Sequence, residues 1–477
     1  MSQIGPTPLA DAVIRARQAE LRPLQIPGHK HRYWDSQADG PAAHLLAPLI
    51  RDDMPLQAGA DDNYYTNDWL GQAERLYAAA IGADHTRFLV NGGTQGNLSL
   101  LLFLGGDDEV LAIDRTSHRS VLSGLILSGA TPHWIYPDRH PEFGLPIGVP
   151  AGQLAAAKNA SAVIVTSPSY VGTLTAVAPL AAEAHALGLL LAVDQAWGAH
   201  FDFNLPGLTS ALRAGADLAV TSIHKALMGY TQTAIISARG GMIDAAKFNR
   251  VVDTTTTTSP SGTLLASIDA TRAIMEAEGE RLFAQAVEAA DQLRAALARV
   301  PGIVVLTAAE LGCETDPLKV VLSLPKSGAD GTKVAKQLWE LGHGVESADR
   351  DTLIMTITVT DTWERLQEIA ENVERVLRAN LGEPRAGMPA EVWAVRPVTA
   401  MTPRAAAMSR RERVSLKSAV GRVSTEQFTP YPPGVPLIGP GEVVTEQVIS
   451  AIEVAGRVGR VAYCSDKSLE TIEVIAD

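Results

Sequence analysis

Between about residue 86 and residue 240, short apolar runs alternate with longer stretches of helical spacing. This is the arrangement of βαβ units around a mainly parallel sheet. The runs are Arg87–Val90, Glu109–Ile113, Ala162–Val165, Leu189–Val193 and Leu218–Thr221, and each passes directly into Gly or polar residues. They are too short for helices and predict buried strands. Ligands of an open α/β sheet bind beyond the carboxyl ends of its strands, so the residues that follow these runs are where a site is expected.

Residues 262–300, rich in Ala with charged positions at helical spacing, predict long helices leading out of this first unit. A smaller α+β unit is expected from about 301 to 380. Its strands would be Ile303–Leu306, Lys319–Leu324 and Leu353–Val359, and its closing helix would end near Leu381-Gly382. The Pro-rich break from Gly382-Glu383-Pro384 to Met388-Pro389 opens a third unit. The expected division is an N-terminal arm over 1–50, a large α/β domain over 51–275, a small α+β domain over 276–382 and a C-terminal α+β domain over 383–477.

Composition narrows the function. The 477 residues carry 53 acidic against 40 Lys and Arg side chains, a net charge of −13, which argues against a broad nucleic-acid-binding surface. The two cysteines, Cys313 and Cys464, have no Cys or His at metal-ligand spacing, so no metal site is expected and both are read as reduced thiols. The amino terminus lacks the order of a signal peptide and no apolar stretch reaches bilayer length, so a cytoplasmic protein without membrane contact is expected.

The chemistry gathers at the strand ends. The first run leads into Asn91-Gly92-Gly93-Thr94-Gln95-Gly96-Asn97 and a helical stretch, and a Gly-rich turn opening a helix offers unpaired N–H groups to a phosphate. The fourth run delivers Asp194 and the fifth delivers Ser222-Ile223-His224-Lys225. A lysine beside a carboxylate is what pyridoxal 5'-phosphate (PLP) requires: the amine forms an imine with the cofactor aldehyde, and the acid keeps the pyridine nitrogen protonated. Taken singly, this Asp and Lys read equally well as a salt bridge; Ser222 and His224 add donors suited to a phosphate. The second run ends in Asp114-Arg115-Thr116-Ser117-His118, which brings an imidazole that can stack on the pyridine ring. The third ends in Thr166-Ser167-Pro168-Ser169-Tyr170-Val171-Gly172, a turn with hydroxyls at the rim.

With these residues in view, the sequence resembles the Orn/Lys/Arg decarboxylase family of PLP fold type I, the aspartate-aminotransferase-like fold, over nearly its whole length. Pro27-Gly28-His29-Lys30 is similar to that family's P-G-H-K arm, Asn91–Asn97 to its phosphate turn, Asp114–Ser120 to its D-R-x-x-H-K-S segment and Ser222–Lys225 to its S-x-H-K motif. Thr257-Thr258-Ser259-Pro260-Ser261 resembles its T-T-S-P-S loop; without the resemblance, the threonine run Thr254–Thr258 reads as a solvated loop. Thr402-Pro403-Arg404, Tyr431–Pro436 and Pro440-Gly441-Glu442 are similar to its C-terminal signatures.

The resemblance implies that Lys225 carries PLP, that Asp194 pairs with the pyridinium nitrogen and that His118 stacks on the ring. Gly93, Thr94, Gln95, Ser222 and His224 would surround the phosphate, and Trp197 would line the pocket. It implies that Ser259 reaches the neighbouring subunit's phosphate, so that a homodimer or higher homo-oligomer shares its sites. Glu442, in the P-G-E motif, is the candidate for the substrate's distal cation, against the plainer reading of a surface carboxylate.

Two departures stand out. Short-form relatives read D-E-A-H-G-A-H where this chain has Asp194-Gln195-Ala196-Trp197-Gly198-Ala199-His200, and the arm continues as His31-Arg32 where glycines are common. The receiver-like wing of the long inducible forms is not expected before the arm. The implied reaction is decarboxylation of a basic amino acid, arginine first and then lysine or ornithine. An aminotransferase or an oxygen-dependent oxidase of the same substrates would use the same cofactor on the same fold. A non-catalytic regulator is disfavoured by the presence of Lys225 and Asp194.

Overall fold

The computed structural model describes every residue except 1–3, 20–23, 25, 31–39, 57–60, 62–67, 158, 204–205, 432–434, 459, 462–463 and 477. The His31-Arg32 departure and the centre of the Tyr431–Pro436 motif lie outside the described residues.

The large domain is built on a seven-stranded sheet. Its strands are β1 (His85–Leu89), β2 (Val110–Asp114), β3 (Thr131–Ile135), β4 (Ala160–Thr166), β5 (Leu190–Asp194), β6 (Leu218–Ser222) and β7 (Ala234–Ala238). Their spatial order is β1-β7-β6-β5-β4-β2-β3. β3-β2-β4-β5-β6 are mutually parallel, whereas β7 runs antiparallel to both β6 and β1. Every residue of β6 and all but the first of β5 are buried, as expected of strands covered on both faces.

The apolar alternation locates five of these strands to within two residues at each end and misses β3 and β7. Pro132 inside β3 argues against a strand, yet β3 is at the sheet edge, where a missing N–H costs no ladder bond on the open side. β7 is a five-residue run, Ala-Ile-Ile-Ser-Ala, whose burial on every side is a property of its neighbours rather than of its own pattern.

Two apolar clusters sandwich the sheet. One centres on Val163, Val193, Ala219 and Ile235, the other on Leu101, Ile113, Ile164 and Val220. The second is covered by α1 (Gly92–Leu104), α2 (Arg119–Ser128) and α3 (Ala245–Thr255). Residues 262–297 form one continuous helix of 36 residues, α4, capped by the Ser261 hydroxyl accepting from Leu264 N–H. At about 1.5 Å per residue it is about 54 Å long and reaches from the large domain into the small one. The boundary expected at 275/276 therefore falls inside a helix that both units share. Near its start Asp269 accepts the backbone N–H groups of Leu9 and Ala10 at 3.0 and 3.2 Å, which pins the N-terminal helix Pro8–Gln18.

The small domain is a four-stranded antiparallel sheet of β8 (Val304–Val305), β9 (Lys319–Ser323), β10 (Ser347–Ala348) and β11 (Thr352–Thr356), in the order β8-β9-β11-β10. α5 (Gly331–Glu340) and α6 (Trp363–Ala379) accompany it. The C-terminal unit pairs β12 (Arg411–Ser415) with β13 (Thr471–Ile475) and packs them with α7 (Glu446–Val458) around Phe428, Ile438, Ile452 and Ile472. Arg404 ties this unit to the large domain, donating to the carbonyl of Ile126 at 2.9 Å and to Asp107 at 2.8 Å.

Candidate active site

At the carboxyl ends of β2, β4, β5 and β6 the chain turns around a cavity of about 580 Å³. Gly93, Thr94, His118, Asp194, Trp197, Ser222, His224 and Lys225 line it, so most of the residues picked out along the sequence converge on one site.

β5 and β6 pair in parallel with Asp194 opposite Val220, and this register sets the acid beside the turn that carries Lys225. Asp194 is 2 % exposed. Its Oδ1 accepts from Ala196 N–H at 3.1 Å and its Oδ2 from Asn97 Nδ2 at 2.7 Å. Lys225 occupies the single helical turn Ile223–Ala226. Burial pushes its amine below the ordinary lysine range, and the carboxylates of Asp194 and Glu346 only partly oppose this. Its Nζ is 4.1 Å from the centre of the Trp197 ring.

The glycine-rich turn begins α1 at Gly92, which has φ +66°. The Gly92 N–H donates to Gln232 O and the Gln95 N–H to Asn91 O, leaving Gly93 and Thr94 in the first turn, where N–H groups have no helical acceptor. Gly93 is required by packing: a Cβ there would lie 2.8 Å from Ser222 Oγ. His224 is oriented by a 2.8 Å contact between Nδ1 and the Thr233 carbonyl.

His118 caps α2 and opens toward the cavity, positioned by the Asp114 turn. Asp114 Oδ1 accepts from Thr116 N–H and Oγ1 at 2.7 and 2.8 Å, while Oδ2 takes the Thr166 N–H of β4 at 3.3 Å. Burial lowers the His118 pKa; Asp194 opposes the shift, and Lys225 and Arg119 add to it.

Two expected residues, Gln95 and Glu442, are placed differently, while Ser259, expected at a neighbour's site, lies outside its own chain's cavity. Gln95 is buried away from the cavity: its Oε1 accepts from Asn91 N–H at 3.2 Å and its Nε2 donates to Thr256 at 2.7 Å. It braces the turn rather than lining the pocket, because its side chain is used up closing the helix start. Glu442 does not line the cavity and is not a surface carboxylate. It is 2 % exposed and pairs with Arg115 through both oxygens, Oε1 at 2.5 Å and Oε2 at 2.9 Å, and also accepts the Gly439 N–H. A carboxylate with all its partners inside the protein has none to offer a ligand. Ser259 is exposed on its own chain and does not reach this cavity. The threonine run before it is docked, with Thr255 and Thr256 bonded to Ser99 and Gln95 of α1.

Asn97 and Glu346 are lining residues that the motifs did not single out. Asn97 follows Gly93 by one helical turn, and that spacing could have identified it. Glu346 comes from the small domain and has no local signal. Behind Trp197, Lys319 of β9 places its Nζ 3.5 Å from the indole centre and donates to Thr356 at 2.7 Å; burial pushes its pKa down to about 8.

The donor set fits PLP. Lys225 supplies an amine and Asp194 a buried carboxyl group, while Ser222, His224 and the first turn of α1 supply phosphate donors. Thr166 Oγ1 and Asn97 Oδ1, on two lining residues, have no hydrogen-bond partner among the described residues and leave polar capacity for a ligand. No cluster of His, Cys, Asp or Glu able to hold a metal occurs among the described residues.

The family model for the Orn/Lys/Arg decarboxylase major domain matches residues 7–374, and that for the Orn/Lys/Arg decarboxylase C-terminal domain matches residues 387–460. The chain is 31% identical over 452 residues to an arginine decarboxylase of Bacillus subtilis, covering 91% of each protein. It is 29% identical over 494 residues to an arginine decarboxylase of Halalkalibacterium halodurans, covering 100% of this chain and 99% of that one. Among solved structures, the Francisella novicida lysine decarboxylase superposes with a TM-score of 0.83 at 18% identity, over 98% of this chain and 81% of that chain.

Proposed function

The chain belongs to the Orn/Lys/Arg decarboxylase family, and from that premise we propose that it removes the α-carboxylate of arginine, with lysine and ornithine as the next choices. It is a PLP-dependent amino-acid decarboxylase acting on a basic amino acid. The observation that carries the site assignment is the convergence of Lys225, Asp194 and His118 on one cavity at adjoining strand ends.

Lys225 would hold the cofactor covalently, its depressed pKa raising the fraction of free amine at neutral pH. Ser222, His224, Thr94 and the Gly93 backbone would receive the phosphate. Asp194, held by Asn97 and the Ala196 N–H, keeps one edge for the proton on the ring nitrogen. The bound cofactor supplies an electron sink for the pair released when the bond from Cα to the carboxylate breaks. His118 would cover the ring and limit water access, and Trp197 forms a wall beside Lys225. Once displaced by the substrate amine and carrying the proton that this amine releases, Lys225 Nζ, or a neighbouring donor, would return a proton to Cα. Glu346 replaces Glu442 as the acid for the substrate's distal cation: it lines the cavity and its charge acts on Lys225 and Lys319.

The working unit is a homodimer in the cytoplasm. The exposed loop around Ser259, anchored through Thr256 to the phosphate turn of its own chain, would extend to the neighbour's phosphate. Among the described residues no helix is long and apolar enough to cross a membrane, and both cysteines are free.

A panel of arginine, lysine, ornithine and neutral amino acids, assayed together for CO₂, amine, ammonia and peroxide, tests the reading. A pocket that hydrogen-bonds a guanidinium discriminates against analogues that strand those groups by about 10⁴-fold. Equal amounts of CO₂ and amine from one basic substrate are expected; keto product or oxygen consumption without the amine overturns the proposal.

A further inference from the structure

Asp194 and His118, from two different strand ends, are joined by a short hydrogen-bonded chain of side chains. Asn97 Nδ2 donates to Asp194 Oδ2 at 2.7 Å and to Ser120 Oγ at 2.9 Å. Ser120 Oγ is in turn 2.8 Å from His118 Nδ1, and the Ser120 backbone N–H points at the same nitrogen at 3.3 Å. Asn97 and Ser120 are 1 % and 2 % exposed, so water does not compete for their side chains, whereas the His118 ring at the end of the chain is open to the cavity.

Proton positions along the chain follow from donor counting. As the partner assigned to a protonated ring nitrogen, Asp194 acts as a carboxylate and can only accept, so Asn97 must turn its amide nitrogen toward it; the opposite orientation would set two acceptor oxygens face to face. The same nitrogen donates its other hydrogen to Ser120 Oγ. With one lone pair so engaged, the Ser120 hydroxyl hydrogen is free to point to His118 Nδ1. Two donors, the hydroxyl and the Ser120 N–H, then converge on Nδ1, and only an unprotonated nitrogen can receive them.

We infer that Asn97 and Ser120 are positioning residues that hold His118 as the neutral imidazole with its proton on Nε2, through a relay that starts at Asp194. Protonating Nδ1 would reverse the Ser120 hydroxyl and leave the Ser120 N–H without its acceptor. The charged groups facing the ring are Asp194 from β5, Lys225 from the turn after β6 and Arg119 on its own helix. Asp194 alone favours the imidazolium, and its Oδ2 is already occupied by Asn97. The consequence rests on the site assignment above: a neutral ring adds no positive charge to compete with the proton that Asp194 must hold on the cofactor nitrogen. It also removes His118 as the source of the proton delivered to Cα, since a neutral Nε2–H is far too weak an acid.

Two readouts test the relay. In holoenzyme labelled with ¹⁵N-histidine, and assigned with a His118→Gln variant, the His118 Nδ1 and Nε2 shifts should report the Nε2–H form at neutral pH. An Nδ1–H form or an imidazolium there overturns the inference, whatever the activity of the protein. Ser120→Ala should raise the His118 pKa by about one unit, the size of one hydrogen-bond donor. The acid limb of kcat/KM should move up with it, so that the ratio of activity at pH 6 to pH 8 falls several-fold, and Ser120→Thr, which keeps the hydroxyl, should restore the profile. A Ser120→Ala profile that superposes on the parent also overturns it. Absence of CO₂ release from a parent protein that binds PLP would instead refute the proposed reaction and leave the tautomer measurement valid.

Discussion

Arg115 and Glu442, 327 residues apart in sequence, meet as a buried two-bonded ion pair that clamps the C-terminal domain onto the turn presenting His118. Arg115 directly follows β2, so its side chain braces the base of the Asp114–His118 turn. It also stacks 4.7 Å from the Trp134 ring centre and donates through Nε to the Pro436 carbonyl. Breaking such a pair on one side strands a charge at a cost of about 3–5 kcal/mol, whereas replacing both partners with apolar groups is close to neutral. Glu442→Gln should lower the denaturant midpoint sharply, and Arg115→Met with Glu442→Leu should recover most of it. If Glu442→Gln left stability intact and raised KM alone, Glu442 would be a substrate contact after all.

Glu346→Gln gives the complementary result. Losing one charge-assisted hydrogen bond to the substrate costs about 1.5–3 kcal/mol, which should appear as a drop in kcat/KM for basic amino acids, mostly through KM. Stability should change little because the side chain is exposed to the cavity. Unaltered kinetics would remove Glu346 from the substrate's path.

Lys225→Ala should abolish the visible absorbance of the holoenzyme together with the covalent cofactor label that borohydride leaves on the chain. Peptide mapping of the reduced parent protein checks the position, and a label on any other lysine rejects the assignment.

Asp194→Ala should reduce kcat by about 10²–10³-fold, the scale of one electrostatic contact made in the transition state, with a much smaller change in substrate binding. A matching loss in Asn97→Ala, together with retained fold by circular dichroism, would show that the orientation of Asp194 is part of that effect.

Subunit sharing is tested by mixing. Lys225→Ala chains and chains crippled at Ser259 should regain partial activity on exchange, because a hybrid dimer contains one site with both residues intact. Verified exchange with no recovery would count against a shared site.

Burial raises Asp202 to about 7, with the Gln195 amide at 2.8 Å offsetting only part of the shift. An acid with a raised folded pKa keeps its proton in the folded state after the unfolded chain has lost it. The unfolded state therefore binds fewer protons between about pH 4 and 7, and stability falls as pH rises through that window. Glu74, half-buried and raised to about 7 by desolvation, adds a slope of the same sign. Asp202→Asn should flatten this slope and raise Tm by a few degrees at pH 8 while changing it little at pH 4; an equal shift at both pH values would show that Asp202 is ionised throughout.

Much of this protein is determined locally. The apolar runs locate five strands because parallel strands covered on both faces must be continuous in Val, Ile and Leu, and the residues after them are the site because strand ends are where an α/β sheet opens. Lys225, Asp194 and His118 are legible for that reason: each lies at or within four residues after the carboxyl end of its strand, and the chemistry of Lys and Asp admits few alternatives. Tertiary structure alone decided which side chains remain free to act. Gln95 and Glu442 lie in motifs and were expected at ligands, yet one is used up in the helix start and Thr256, the other in Arg115. Asn97, given no role of its own within the Asn91–Asn97 turn, and Glu346, which lies in no motif, both line the cavity. A residue's chemical type is written at its own position, whereas the direction it faces and the partner it meets depend on packing between segments hundreds of residues apart. The single charge of Arg115, 327 residues away in sequence at the end of β2, is what turns Glu442 from a candidate substrate contact into a structural clamp.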